Sequence, residues 1–275
     1  MTRIALFQST TGIDPEANAR ALEQAIAAAA RGGAEMLFTP EMSGLLDRDS
    51  SRAAKSLRTE QEDKVLAACR TAARRHQIWL HLGSLAVLSE TGKVANRGFV
   101  IDREGEIRAR YDKLHLFDVD LPTGESWRES NVYSPGGGVV LVNGTPVGKL
   151  GLTICYDLRF PGLFARLAEA DADVIAVTAA FTVPTGKAHW HVLLRARAIE
   201  AGLFVVAAAQ VGHHEDGRQT FGHSLVIDPW GDVLLDMGEE PRVAFVEIDL
   251  KRISDVRSRI PALSHRRPIP EAVTL

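Results

Sequence analysis

Short apolar runs rich in β-branched residues alternate with longer stretches of helical periodicity, and this alternation predicts βα units. Arg3 to Gln8 reads as a strand, Pro15 to Arg31 as a helix, Glu35 to Thr39 as a strand, Glu60 to Arg75 as a helix and Ile78 to Gly83 as a strand. Ala25 to Ala30 is alanine-rich helix interior rather than low complexity, and Gly32-Gly33 closes that segment. The pattern then changes. Arg97 to Asp102 and Glu106 to Tyr111 flank Arg103-Glu104-Gly105, and His223 to Asp228 and Val233 to Asp236 flank Pro229-Trp230-Gly231-Asp232. Both pairs predict β-hairpins. Further βα units are Val147 to Cys155 with Gly162 to Glu169, and Asp173 to Thr178 with Ala188 to Ala201, followed by the strand Leu203 to Gln210. Hairpins mixed with crossovers imply an α/β fold with a mixed sheet, or two sheets packed together under helices. No repeat or Pro/Ser/Gly-rich linker divides the chain, so residues 1–275 read as a single domain.

Composition narrows the partners. The chain is 45% hydrophobic and 24% charged, ordinary for a soluble protein with a sizeable core. A net charge of −3 gives no electrostatic case for nucleic acid or an anionic membrane surface. No apolar run approaches the length of a membrane span. Small molecules are therefore the expected partners. The first residues lack the regions of a secretory signal, and the two cysteines, Cys69 and Cys155, form no disulfide framework. Both features fit a reducing cytoplasm.

Cys155 is the candidate with most chemical content, because it sits where the strand from Val147 stops and a helix begins near Pro161. A thiol there is reachable, and backbone N–H groups at such a turn can face a developing oxyanion. The alternative is a buried apolar cysteine. Cys69 illustrates it, sharing one apolar helical face with Val65, Leu66, Ala72 and Ala73. A thiol needs a base. Glu41, behind Pro40 at a strand's carboxyl end, is one candidate, though equally a solvated loop carboxylate. Glu125 and Glu129 lie in a polar loop, and spacing does not choose between them. Lys113 would steady both thiolate and oxyanion, or it is a surface partner of Asp112. His189 and His191 face different sides of a helix, and His213-His214 falls in a polar turn. No HExxH, paired CxxC or GxxxxGK[ST] motif occurs, so neither metal nor nucleotide cofactor is expected.

Taken in order, Thr39-Pro40-Glu41, Asp112-Lys113-Leu114-His115 and Ile154-Cys155-Tyr156-Asp157-Leu158-Arg159-Phe160-Pro161 resemble the Glu-Lys-Cys signature of the nitrilase superfamily of carbon–nitrogen hydrolases. The likeness runs from the first strand to Arg266-Arg267-Pro268. It implies a four-layer α-β-β-α sandwich, a homodimer, no cofactor, and catalysis by Cys155 as nucleophile, Glu41 as base and Lys113 as oxyanion donor together with the N–H of Tyr156. A second family glutamate follows the lysine, and Glu129, before Ser130, matches its context better than Glu125. Cys155-Tyr156-Asp157 is similar to the amidase branches, whereas nitrile-cleaving branches carry Cys-Trp-Glu. The segments from Ala188 to Glu200, Ala207 to Gln210, Gly222 to Ser224 and Asp228 to Gly231 resemble amidases acting on deaminated glutathione. The branch of ω-amidases, acting on α-ketoglutaramate and α-ketosuccinamate, shares most of these motifs. Either substrate is an anionic amide, so Arg159, His213, His214 and Arg218 become candidates for binding it, although the last three also read as solvated loop residues. Phe181, Thr182, Thr185 and Gly186 resemble a family loop that lines the pocket. Arg195 and Arg197 read as structural.

Overall fold

The computed structural model describes all residues except 90, 91, 121–123, 125 and 275. Two large sheets pack face to face with helices on their outer sides, which is the four-layer α-β-β-α sandwich. In the first sheet the spatial order is Arg242–Ile248, Thr2–Gln8, Met36–Phe38, Trp79–Leu88, Val94–Ile101 and Ile107–Asp112, with Arg58–Thr59 beside Trp79–Leu88. In the second it is Val233–Asp236, Leu225–Ile227, Phe204–Ala209, Val174–Ala179, Gly148–Ile154 and Leu141–Thr145. The central strands of each sheet run parallel and the flanking ones antiparallel, as a chain mixing crossovers with hairpins must arrange them.

The two-residue period of the first strands decides which layer each side chain joins. Ile4, Leu6, Met36 and Phe38 point between the sheets, into the same core as Leu152, Ile154 and Ala176 of the second sheet. Ala5 and Leu37 point the other way, toward the helices Pro15–Arg31 and Lys64–His76. The helices Pro161–Glu169 and Val183–Ala201 cover the second sheet through Leu163, Leu167, Trp190 and Leu194. Cys69 is completely buried in the first helical layer, the role its helical spacing gave it.

Several boundaries differ from the sequence expectation. The helix expected from Glu60 starts at Lys64, capped by Asp63, because Glu60 is held by Arg97 and Arg110 instead. The strand expected to end at Gly83 continues to Leu88. The helix expected from Ala188 starts at Val183, with Pro184 in its first turn. Thr185 and Gly186 are therefore helical rather than loop residues. The strands Leu141–Thr145 and Arg242–Ile248 and the helix Lys251–Arg259 had no counterpart in the periodicity reading.

Candidate active site

The strand Gly148–Ile154 ends between two others, and the chain turns at Cys155 into the short 3₁₀ segment Cys155–Arg159. Cys155 has φ +51°, a left-handed conformation costly for a residue with a Cβ. Its surroundings hold it there. The carboxylate of Asp157, fully buried, accepts from Ile154 N–H at 2.9 Å and Tyr111 O–H at 2.7 Å. It also accepts from His115 N–H at 3.0 Å and lies 2.7 Å from His115 Nδ1. Burial and Asp157 raise the Tyr111 hydroxyl above its ordinary value, so it stays protonated and donates. From outside, buried Arg197 donates to Leu158 C=O through Nε at 3.2 Å and Nη2 at 3.0 Å. The turn is thus tied to the first sheet through Tyr111 and His115 and to a helix through Arg197.

Glu41 reaches the same place from the first sheet. The strand Met36–Phe38 stops at Thr39-Pro40, and the following bend is fixed by Ser43 Oγ donating to Pro40 C=O at 2.6 Å and by Met42 N–H donating to Ser84 Oγ at 2.9 Å. Gly83 makes the approach possible: a Cβ there would lie 2.1 Å from Thr39 C=O. Lys113 follows the strand Ile107–Asp112 and is 2% exposed, so it is no surface partner of Asp112. That carboxylate takes the Arg97 guanidinium at 2.6 and 2.9 Å.

These side chains form one cluster. Lys113 Nζ donates to Glu41 Oε1 at 3.0 Å and to Glu129 Oε2 and Oε1 at 2.8 and 3.1 Å. Asn96 Nδ2 bridges the carboxylates, 2.9 Å from Glu41 Oε1 and 3.3 Å from Glu129 Oε1. Phe117 N–H donates to Glu129 Oε2 at 2.7 Å, and Ala180 N–H to Glu41 Oε2 at 2.9 Å. The Cys155 thiol hydrogen-bonds Glu41. Burial pushes the Glu41 carboxyl upward, but the Lys113 charge and hydrogen bonds from Cys155, Lys113 and Asn96 outweigh it and leave it below its ordinary value. For Lys113, burial acts downward while Glu129, Glu41 and Cys155 together hold the ammonium well above its ordinary value. Burial and the Glu41 charge push the Cys155 thiol well up despite Lys113. The resting arrangement is a neutral thiol against a carboxylate beside an ammonium, which a base-assisted nucleophile requires.

A cavity of about 490 Å³ opens over Cys155. Glu41, Lys113 and Glu129 line it, and so do Tyr156, Arg159, Phe181, Thr182 and Thr185. Arg159 stacks over Tyr156 and Phe181 and contacts His189 Nδ1 at 3.2 Å. Arg218 also lines the cavity. His213 and His214 are not among its lining residues. His214 is buried rather than solvated, bonded to Thr11 C=O at 2.9 Å and Thr220 Oγ1 at 2.7 Å. Glu125 lies outside the described residues. Among the described residues one set of side chains could ligate a metal, His191, His223 and Asp236, and none of them lines this cavity.

The family model for carbon–nitrogen hydrolases matches residues 3–258. The chain belongs to that family. It is 37% identical over 273 residues to a deaminated glutathione amidase from Yersinia enterocolitica, covering 98% of this chain and 94% of that one. The crystal structure of the Caenorhabditis elegans NitFhit protein superposes with a TM-score of 0.89 at 39% identity, over 97% of this chain and 65% of that one. An amidase from Nesterenkonia, solved with acrylamide added to its active-site cysteine, superposes with a TM-score of 0.79 at 28% identity, over 95% of this chain and 98% of that one. For this carbon–nitrogen hydrolase the resemblance had named the thiol, both carboxylates and the ammonium that the fold brings together, but missed Asn96, Asp157's partners and Arg197's hold on the turn. Asn96 carried a faint signal, a polar residue inside the apolar strand Val94–Ile101.

Proposed function

We propose that this carbon–nitrogen hydrolase is an amidase whose catalytic groups are Cys155, Glu41 and Lys113, with Glu129 holding Lys113. Its substrate is deaminated glutathione, which it splits into α-ketoglutarate and cysteinylglycine. The observation that carries the mechanism is the buried contact of a neutral thiol with an anionic Glu41 beside Lys113. Glu41 takes the thiol proton as sulfur bonds to the amide carbonyl carbon. The resulting oxyanion is steadied by the Lys113 ammonium and the Tyr156 N–H. Glu41 returns the proton to the amide nitrogen, the C–N bond breaks, and the dipeptide amine leaves. Glu41 then removes a proton from water, which attacks the thioester, and Cys155 leaves with its proton restored.

The substrate assignment rests on the named relatives and on the cavity. Its roughly 490 Å³ falls within the ~300–1,000 Å³ of pockets that bury drug-sized ligands, and Arg159 supplies a cation for an anionic acyl group. Tyr156, Phe181, Thr182 and Thr185 shape the wall around that group. The test is kcat/KM for deaminated glutathione against α-ketoglutaramate, with Cys155→Ala as control. A clear preference for the smaller amide refutes the substrate, and unchanged hydrolysis by Cys155→Ala refutes the mechanism and leaves a non-catalytic binding protein.

The same reading takes residues 1–275 as one domain and the protein as a cytoplasmic homodimer. Val192 and Ile199, 68% and 52% exposed on the helix Val183–Ala201, offer an apolar face for a second copy. Sedimentation at micromolar concentration checks it, and a monomer rules it out. Both cysteines are free, in keeping with a reducing compartment.

A further inference from the structure

The cavity carries a polar feature that the chemistry at Cys155 leaves unused. Trp127, on the strand Ser126–Arg128, lines it together with Arg48 and Arg218. The Arg48 guanidinium sits 5.1 Å and that of Arg218 5.2 Å from the centroid of the same indole ring. The Trp127 indole N–H is buried and has no acceptor among the described residues, although a buried indole ordinarily finds one. Arg218 commits Nε to Asp216 at 2.7 Å, and its terminal nitrogens have no hydrogen-bond partner among the described residues. Asp216 also accepts the Arg48 backbone N–H at 2.9 Å, so one buried carboxylate ties both arginine loops together. Asp216 offsets one of the two charges against the ring, and an anion taken between Arg48 and Arg218 offsets the other.

We propose that Arg48, Arg218 and the Trp127 N–H form a clamp for the terminal carboxylate of the peptide leaving group. The clamp rests on the amidase reading above and deepens it. A carboxylate meets every unmet demand at once: it accepts from the indole N–H and takes a guanidinium fork in two parallel hydrogen bonds. The assignment to the leaving group follows from the placement of the cations. Arg159 belongs to the same short turn as Cys155, with its guanidinium over Tyr156 and Phe181. Arg48, Trp127 and Arg218 come from three other segments: the chain before the helix Ser50–Ala53, the hairpin Asp118–Asp120 with Ser126–Arg128, and the hairpin Val211–His213 with Gln219–Phe221. A substrate with one anionic end needs one such group. Two sets lining one cavity, one on the nucleophile's own turn and one on other segments of the chain, fit a substrate anionic at both ends.

The experiment compares deaminated glutathione with its analogue in which the glycine carboxyl is a primary amide. Wild type should prefer the carboxylate form by about tenfold or more in kcat/KM, chiefly through KM, the scale of charge-assisted hydrogen bonds lost on neutralisation. In Arg48→Gln, a change at an exposed residue, that ratio should fall toward one. Arg218→Lys keeps a cation for the buried Asp216 and should lower the ratio partway. Equal use of both tripeptide forms by wild type, or an unaltered ratio in Arg48→Gln, overturns the clamp while leaving the amidase reading intact. Turnover of α-ketoglutaramate with neither tripeptide form accepted overturns the peptide substrate and the clamp together.

Discussion

Replacing Glu129 by glutamine keeps the shape of the side chain and removes one charge from the cluster. Glu129 Oε2 accepts from Lys113 at 2.8 Å and from Phe117 N–H at 2.7 Å, while Oε1 accepts from Lys113 at 3.1 Å and Asn96 Nδ2 at 3.3 Å. A glutamine oxygen can take the first position, but its NH₂ group then faces two donors, the ammonium and the Asn96 amide. Exchanging a charge-assisted hydrogen bond for a neutral one costs about 1 kcal/mol, and a buried group left opposing its own kind about 1–3 kcal/mol more. Lys113 can relieve the clash by shifting away from the oxyanion position. If ~2 kcal/mol of the total falls on the transition state, kcat drops about thirtyfold. KM should move less, because Glu129 acts through Lys113. Steady-state kinetics on deaminated glutathione, read beside thermal unfolding, measure both effects. A folded Glu129→Gln protein with kcat within twofold of wild type refutes the positioning argument.

The pH dependence follows from the same charges. Glu41 lies below its ordinary 4.5, and Cys155 and Lys113 lie well above 9.0 and 10.5. The log kcat/KM profile should therefore be flat between pH 6 and 9, and an enzyme ionisation inside that window contradicts the assignment. For stability, a depressed carboxyl helps above its unfolded value and loses that contribution as pH falls through the folded one. The part due to Glu41 should be intact at neutral pH and fade below about 4.5, visible as a falling Tm in acid. Asp157→Asn should lower stability by about 3–5 kcal/mol and kcat with it, because an amide NH₂ cannot accept the hydrogen bonds that the carboxylate takes. Denaturant unfolding checks this, and a loss under 1 kcal/mol would falsify the anchoring role. Acrylamide under native conditions should modify Cys155 in the cavity and spare the wholly enclosed Cys69, whose thiol burial also pushes strongly upward. Peptide mapping that finds Cys69 modified first would reverse that assignment.

Glu41, Lys113 and Cys155 each follow a strand, where α/β proteins gather chemistry. Position alone left Glu41 readable as a loop carboxylate and Lys113 as a surface partner of Asp112. It was the resemblance of the three ordered motifs to a known family that singled them out. Two boundaries misled through glycine. Gly83 reads as a strand's end, yet it lies inside a strand because the chain carrying Glu41 passes too close for a Cβ. Gly186 weakens the signal for the first turns of the helix Val183–Ala201, yet a Cβ there would lie 2.2 Å from the Phe221 ring. Both glycines serve contacts distant in sequence, which local propensity does not contain. Asn96 and Arg197 were hidden for a related reason. Their partners, Glu41 with Glu129 and the Leu158 carbonyl, come from other segments of the chain. Spacing alone left Glu125 beside Glu129, and only the resemblance, through the Glu-Ser context, favoured Glu129. The fold sets Glu129 against Lys113, while Glu125 lies outside the described residues.

The charge balance of the cluster explains why the thiol need not ionise in advance. Two carboxylates and one ammonium leave a net negative charge in a buried site, which is tolerable because Asn96 Nδ2 and the N–H groups of Phe117 and Ala180 all donate to the carboxylates. A thiolate formed there before substrate arrived would add a second net negative charge, and burial together with Glu41 holds the thiol protonated. Attack on an amide removes the difficulty. As the proton reaches Glu41, its charge disappears while the oxyanion's appears near Lys113, so the total stays constant and negative charge moves only from carboxylate to substrate oxygen. In a low-dielectric site, relocating a charge between fixed donors costs far less than creating one. Burial that would disable a cysteine acting alone therefore becomes compatible with catalysis once Glu41 and Lys113 stand on either side of the transfer.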